Sequence, residues 1–109
     1  MGCSITVLDV PLGRVVAIAG DADVSSADEL GAAIEAAAGD GPVVIDLSEA
    51  TLIDSRTIGV LAGWHKTLRL TDGGLRLVAD DPDMLRLFAT IGLEREFEFF
   101  PSREAAFGE

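Results

Sequence analysis

The run at residues 43–47, Val-Val-Ile-Asp-Leu, in which four of the five residues are apolar, constrains the fold of this chain more than any other feature. Gly41 and Pro42 precede the run and end any helix before it. The run is too short to be a helix of its own, and it is too uniformly apolar for a strand that has one face in water. It therefore predicts a buried central strand of the kind found in parallel sheets.

Other segments show the alternating apolar pattern of strands. The predicted strands, besides the central one, are residues 4–8, 15–19, 75–79 and a last strand marked by Phe97, Phe99 and Phe100. The first two are joined by a turn at residues 11–13, Pro-Leu-Gly, which favours a paired opening hairpin.

Segments between the strands have the three-to-four residue spacing of helices. The first begins at Ser25 or Ser26, and its apolar stripe is Ala27, Leu30, Ile34 and Ala37. The second runs from Ser55 to about Leu70, with an inward stripe of Ile58, Leu61, Ala62 and Leu68. The third is opened by Asp81, Pro82 and Asp83, carries Met84, Leu87, Phe88 and Ile91 on one face, and ends at Gly92. Ser102, Glu104 and Ala105 indicate a final helical turn.

The order β-β-α-β-α-β-α-β-α predicts a single α/β domain over residues 1–109. Its sheet is mixed and mostly parallel, with about five strands packed against about four helices. A chain of 109 residues that is 49% apolar can bury one core without a metal or disulfide.

Charge and composition exclude several classes of function. Nineteen acidic against eight basic residues give a formal net charge of −11, which repels nucleic-acid backbones and anionic lipid headgroups. We therefore expect neither nucleic acid nor membrane as a partner. The single cysteine, Cys3, cannot form an internal disulfide, and one histidine does not make a metal cluster. A cytoplasmic protein without metal or other cofactor is the expectation.

The corner between the central strand and the second helix is the candidate site. Ser55 is predicted to be the N-cap of that helix, where its hydroxyl would accept an early helix amide. The same helix end favours a phosphate, so a phosphorylated Ser55 would be compatible with its own fold but would place new charge beside Asp54. Gly59, on the same helix, either permits close approach by another backbone or packs tightly against the sheet.

Four segments of the chain carry motifs in the order that one known family has them. Residues 45–48, Ile-Asp-Leu-Ser, and residues 53–59, Ile-Asp-Ser-Arg-Thr-Ile-Gly, align with a pattern of a strand, Asp-Leu-Ser, and Asp-Ser-Ser/Thr-Gly-Leu-Gly. Residues 20–23, Gly-Asp-Ala-Asp, are similar to the opening of the first helix in that pattern, and residues 73–78 and 87–93 to its later strand and the helix that ends in Thr-Gly-Leu. In these motifs the chain resembles STAS domains, and specifically the bacterial anti-sigma factor antagonists.

The resemblance implies partner switching. The unphosphorylated domain would bind an anti-sigma factor that is also a serine kinase, phosphorylation at Ser55 would end the interaction, and a phosphatase would restore it. ATP and magnesium would belong to the kinase. The implied partner-binding residues are Asp21, Asp23, Asp54, Ser55, Arg56, Thr57 and Gly59.

Two neighbours of Ser55 depart from the family pattern. Arg56 replaces the usual Ser or Thr, and Thr57 replaces the usual Gly and adds a second candidate phosphoacceptor. Arg56 could pair with a phosphate or with Asp23, or could be an ordinary solvated side chain. A STAS scaffold without a switch, or an accessory module of a signalling or transport complex that binds a small ligand, is the alternative.

An enzyme is disfavoured, and so is a phosphoaspartate receiver. Ser55 and His65 lie on one predicted helix about 15 Å apart along its axis, beyond the reach of a hydrogen bond. We interpret His65 as an ordinary helix side chain beside Trp64. The only lysine, Lys66, lies on the second helix, and not near a late strand as the resemblance to a receiver would require.

Overall fold

The computed structural model describes residues 2–23, 26–39, 41–70, 74–90, 92 and 95–108. Five strands form one sheet in the order β1-β2-β3-β4-β5. The strands are β1 (Cys3–Val10), β2 (Gly13–Ala22), β3 (Val43–Ile53), β4 (Leu75–Val78) and β5 (Glu98–Phe100). The helices are α1 (Ala27–Ala37), α2 (Ser55–Leu68), α3 (Pro82–Thr90) and α4 (Arg103–Ala106). The order of elements and the mostly parallel sheet are confirmed.

The hairpin of β1 and β2 is antiparallel, and every other neighbouring pair of strands is parallel. Each crossover from β2 to β5 moves one strand further in the same direction. Crossovers of one hand that move in one direction place their helices on the same face of the sheet. The main core accordingly joins α1, α2 and α3 to one face, around Ile45, Leu77 and Phe88.

The opposite face carries a smaller core under α4. It consists of Val15, Val44, Val78 and Ala106. Ser102 caps α4 by accepting a hydrogen bond from the amide of Ala105 at 3.1 Å. Because β3 is covered on both faces over its first half, residues 43–47 are buried throughout, as the apolar run predicted.

The central strand is longer than predicted. The prediction placed this strand at residues 43–47, whereas residues 48–53 continue β3 and pair with the end of β2. This half of β3 extends past β4, which pairs only with residues 43–46. Its side chains are mostly exposed, so the continuous apolar run of a buried strand is absent even though the backbone is paired.

His65 is a core residue and not the ordinary helix side chain expected. Its ring lies 5.1 Å from that of Phe97, and its Nδ1 accepts the amide of Leu75 at 2.9 Å, which ties α2 to the start of β4. Burial lowers the pKa of His65, and the charge of Arg69 adds to this, so the neutral ring that can accept the bond is favoured. Ile91, predicted for the inward face of α3, lies outside the described residues.

Candidate functional site

The corner between β3 and α2 is organised by Asp54. The backbone of Asp54 is extended, and its Oδ1 accepts the amide of Thr57 at 2.8 Å. Its carbonyl accepts the amide of Ile58 at 3.0 Å, the first hydrogen bond of the helix. Asp54 is therefore the N-cap of α2, and the prediction that Ser55 is the cap was wrong by one residue. Aspartate and serine both serve as caps, and the sequence did not distinguish them.

Ser55 is consequently the first residue of the helix, and its side chain is exposed. Arg56, the second residue, is exposed as well. The positive end of the helix dipole lies here, which favours an anion at this position. The arrangement leaves the Ser55 hydroxyl accessible to a partner, with a guanidinium on the next residue.

The connection between β2 and α1 is held against the same corner. The amide of Asp54 donates to the carbonyl of Ala22 at 3.1 Å, and the hydroxyl of Thr57 donates to the carbonyl of Asp23 at 3.4 Å. The hydroxyl of Ser26 donates to the carbonyl of Asp23 at 2.8 Å and accepts its amide at 3.0 Å. Asp23 is therefore anchored beside the first turn of α2.

Thr57 differs from its neighbours because its side chain is fully buried. Its backbone amide is bound to the Asp54 carboxylate and its hydroxyl to the backbone of Asp23. The position that the family pattern fills with glycine is thus used here to tie two connections together. Thr57 stabilises the corner through these buried hydrogen bonds and does not form part of its outer surface.

Gly59 lies one turn beyond Ser55 on the exposed side of α2. A Cβ added at Gly59 would meet no atom within 4 Å, so tight packing against the sheet does not explain this glycine. Gly63 and Thr67 continue the same line of exposed residues. We call Ser55, Gly59, Gly63 and Thr67 the small-residue ridge; a shallow groove of about 430 Å³ beside it is lined by Gly59, Val60, Gly63, Trp64 and Thr67.

The openness of the ridge predicts that Gly59→Ala stabilises the fold, by about 0.5–1 kcal/mol, because alanine is the better helix former and nothing obstructs its methyl group. Gly74→Ala is the contrasting control: Gly74 has φ +85°, and a Cβ there would lie 2.6 Å from Nδ1 of His65. We expect it to cost about 2 kcal/mol or more. Urea unfolding of both variants measures the two effects, and a destabilised Gly59→Ala would show that the ridge is not open.

Asp21 lies at the end of β2 beside an exposed part of β3. Its carboxylate accepts a hydrogen bond from the hydroxyl of Thr51, and its backbone is in register with Leu52. Leu52 is 49% exposed although it is large and apolar. Leu52 is not among the site residues predicted from the sequence, although the apolar pair Leu52-Ile53 directly before Asp54 was the available signal.

The other candidate groups are not brought together into a reaction centre. Ser55 is exposed at the start of α2, whereas His65 is buried near its end against Leu75 and Phe97. Within the part of the chain that the structure describes, no group of three or more His, Cys, Asp or Glu side chains is placed to hold a metal ion. No described helix is long and apolar enough to cross a bilayer.

Comparisons with known proteins place this geometry in a family. The family model described as "Mlab, STAS domain" matches residues 11–101. A search of the curated proteins by sequence found no match. Among solved structures, an anti-sigma factor antagonist from Mycobacterium paratuberculosis is 28% identical with a TM-score of 0.85, over 98% of this chain and 92% of that one.

Two forms of SpoIIAA show the same fold. The unphosphorylated anti-sigma factor antagonist is 19% identical with a TM-score of 0.76, over 94% of this chain and 92% of that one. The phosphorylated Bacillus cell fate determinant is 18% identical with a TM-score of 0.67, over 94% and 96%. The chain therefore belongs to the STAS domain family, and its structural neighbours include anti-sigma factor antagonists.

Proposed function

We propose that this protein is an anti-sigma factor antagonist that switches partners through phosphorylation of Ser55. Its unphosphorylated form binds an anti-sigma factor with serine kinase activity, and a phosphatase returns the phosphorylated form to the unphosphorylated one. The proposal rests on an exposed serine at the first position of α2, in a STAS domain whose neighbours are antagonists of this class.

The proposed docking face consists of Asp21, Asp23, Asp54, Ser55, Arg56 and Gly59. Thr57, which the sequence also suggested for partner contact, is left out because its side chain is fully buried. Burial likewise favours Ser55 over Thr57 as the phosphoacceptor, since a kinase needs an accessible hydroxyl. The bare backbone at Gly59 permits a partner to approach α2 closely.

A phosphate on Ser55 would act on docking and not on the fold. In the isolated chain it would lie at the positive end of the α2 dipole with Arg56 beside it, where an anion is tolerated. In a complex it would occupy the space above the ridge, because Ser55 and Gly59 are one helical turn apart on the same exposed side. The phosphate carries a charge of about −1.5 to −2 beside Asp54, and docking would remove its hydration water, which costs free energy.

The direct test is phosphate transfer from a candidate anti-sigma factor kinase. Incubation of the purified chain with that kinase, ATP and magnesium is expected to add one phosphate, mapped to Ser55 by fragment mass spectrometry. Ser55→Ala should remain unmodified and keep the wild-type unfolding curve, since the side chain is exposed. Phosphate found on Thr57 or Thr51, or no phosphate with a kinase that binds the chain, would contradict the switch.

A second function is favoured by two observations. The matching family model carries the description "Mlab, STAS domain", and residues 56 and 57 depart from the antagonist pattern beside the acceptor. These support a STAS accessory module that docks through the same face without a switch. A stable complex that never incorporates phosphate would identify this second function.

A further inference from the structure

Beyond the end of β4 the sheet continues as a segment that we call the tip, Ala19–Ala22 of β2 paired with Glu49–Ile53 of β3, and β1 pairs with the tip only at Ala19 and Gly20. β4 pairs only with residues 43–46, so the described part of the sheet continues on one side of this tip alone. The β2–β3 ladder changes register twice here, between Ala17 and Ala19 and again between Gly20 and Asp21. Irregularities of this kind redirect side chains at the ends of sheets.

Leu52 is the large apolar side chain exposed on the tip, at 49%. It is two residues from Asp54, so it lies within roughly 10 Å of the start of α2 along the chain. The hydrogen bond between Thr51 and Asp21 joins the two strands of the tip next to Leu52. Leu52 is therefore exposed on a stretch of backbone that this hydrogen bond stabilises, at the margin of the proposed docking face.

Three acidic residues are neighbours of Leu52 along the strand or across the ladder. Asp21 is opposite it in the ladder, the exposed Glu49 precedes it on the same strand, and Asp54 follows it at the cap. An apolar side chain among acids is complementary to an apolar pocket that has lysine or arginine at its rim. A second copy of the chain is a poor match, because the formal net charge of −11 makes like surfaces repel.

We propose that Leu52 is the apolar anchor of the docking face, inserted into a basic-rimmed pocket of the anti-sigma factor. This inference rests on the proposed function and adds the tip to its docking face. Ser55 controls whether the partner approaches α2, whereas Leu52 with Asp21 and Glu49 contributes affinity and the choice of partner. The phosphate acts on partner binding at the ridge of α2, and the charge complementarity acts at the tip.

The chain contains a matched control for the anchor. Leu12, in the turn between β1 and β2, is 50% exposed, almost the same fraction as Leu52. Leu12 immediately precedes β2, whereas Leu52 is in register with Asp21 near the end of β2, roughly 30 Å away. The two leucine-to-alanine variants remove the same atoms from equally exposed positions at opposite ends of the sheet.

The experiment is calorimetric titration of the purified anti-sigma factor kinase with wild-type chain, Leu52→Ala and Leu12→Ala, at low and high salt. We expect Leu52→Ala to bind about tenfold more weakly and Leu12→Ala to bind within about twofold of wild type. Glu49→Lys should weaken binding at low salt and lose its effect at high salt, as expected for charges at the rim of an interface.

The outcomes separate the anchor from the switch. If the wild-type chain binds and is phosphorylated on Ser55 while Leu52→Ala binds as Leu12→Ala does, the anchor is wrong and the proposed function stands. If the wild-type chain neither binds nor accepts phosphate from any purified anti-sigma factor kinase, both fail. If Leu52→Ala instead converts a dimer of the isolated chain to a monomer in sedimentation, a second copy covers Leu52 and the anchor is overturned.

Discussion

Replacing Ser55 with aspartate is expected to weaken docking to the proposed anti-sigma factor partner about a hundredfold, while Ser55→Ala binds within a few-fold of the wild-type chain. The aspartate places a permanent anion at the first position of α2, one turn from the bare backbone of Gly59. A partner seated on the ridge would have to strip water from that carboxylate, at a cost of about 2–3 kcal/mol, which corresponds to the expected loss.

The effect on the fold should have the opposite sign. A carboxylate in the first turn of a helix interacts favourably with the dipole, so Ser55→Asp should unfold at the same temperature as wild type or slightly above it. Thr6→Asp is the control for added charge, because Thr6 is exposed on the edge strand β1, away from α2. Calorimetric titration measures docking, and equal affinities for Ser55→Asp and Ser55→Ala would refute charge control.

The largest stability effect is expected at Asp46, on β3 beneath α4. Oδ1 of Asp46 accepts the amide of Ser48 at 2.9 Å and its hydroxyl at 2.6 Å, and Oδ2 accepts Nε of Arg103 at 2.6 Å. The side chain of Asp46 is 7% exposed, and that of Arg103 is 37% exposed. Asp46→Ala leaves a half-buried guanidinium and the Ser48 groups without this acceptor, so we expect a loss of about 3 kcal/mol in the free energy of unfolding.

A second aspartate–arginine pair provides the matched control. Nε of Arg14 lies 3.2 Å from Oδ1 of Asp9, with side chains 50% and 84% exposed. Exposed pairs contribute little, so Asp9→Ala should cost less than about 1 kcal/mol. Urea unfolding of the two variants decides the matter. Equal, small losses would mean that Asp46 does not hold α4 in place.

The stabilisation by Asp46 should also depend on pH. Burial alone would raise the pKa of Asp46, but the hydrogen bonds from Ser48 and the guanidinium of Arg103 outweigh burial and hold the pKa below its ordinary value. A carboxyl whose pKa is lower in the folded state stabilises the fold above the unfolded pKa, near 4, and loses that contribution as the pH falls through the folded value. The difference in unfolding free energy between wild type and Asp46→Ala should therefore shrink below about pH 4.

The element order, the buried half of the central strand and the position of the candidate corner were all readable from local pattern. Residues 43–47 had to be covered on both faces because their apolar side chains alternate between the main core and the core under α4, and the inward stripes of α1, α2 and α3 follow the helical period. His65 was misjudged although its position continues the stripe of Ile58, Leu61 and Leu68. Because histidine is polar, we interpreted it as an ordinary helix side chain in spite of its spacing. The amide of Leu75, which donates the hydrogen bond to His65, lies on β4 and not on α2.

The remaining features of the site depend on contacts with residues that are distant along the chain. The identity of the α2 cap, the exposure of Ser55 and the burial of Thr57 depend on how Ala22 and Asp23 contact the corner, and no local pattern reports such a contact. The exposure of Leu52 likewise depends on β4 ending before β3 does. Periodicity along the chain defines which residues can face a core, whereas the contacts that position a site are made between elements, and these exist only once the sheet has formed.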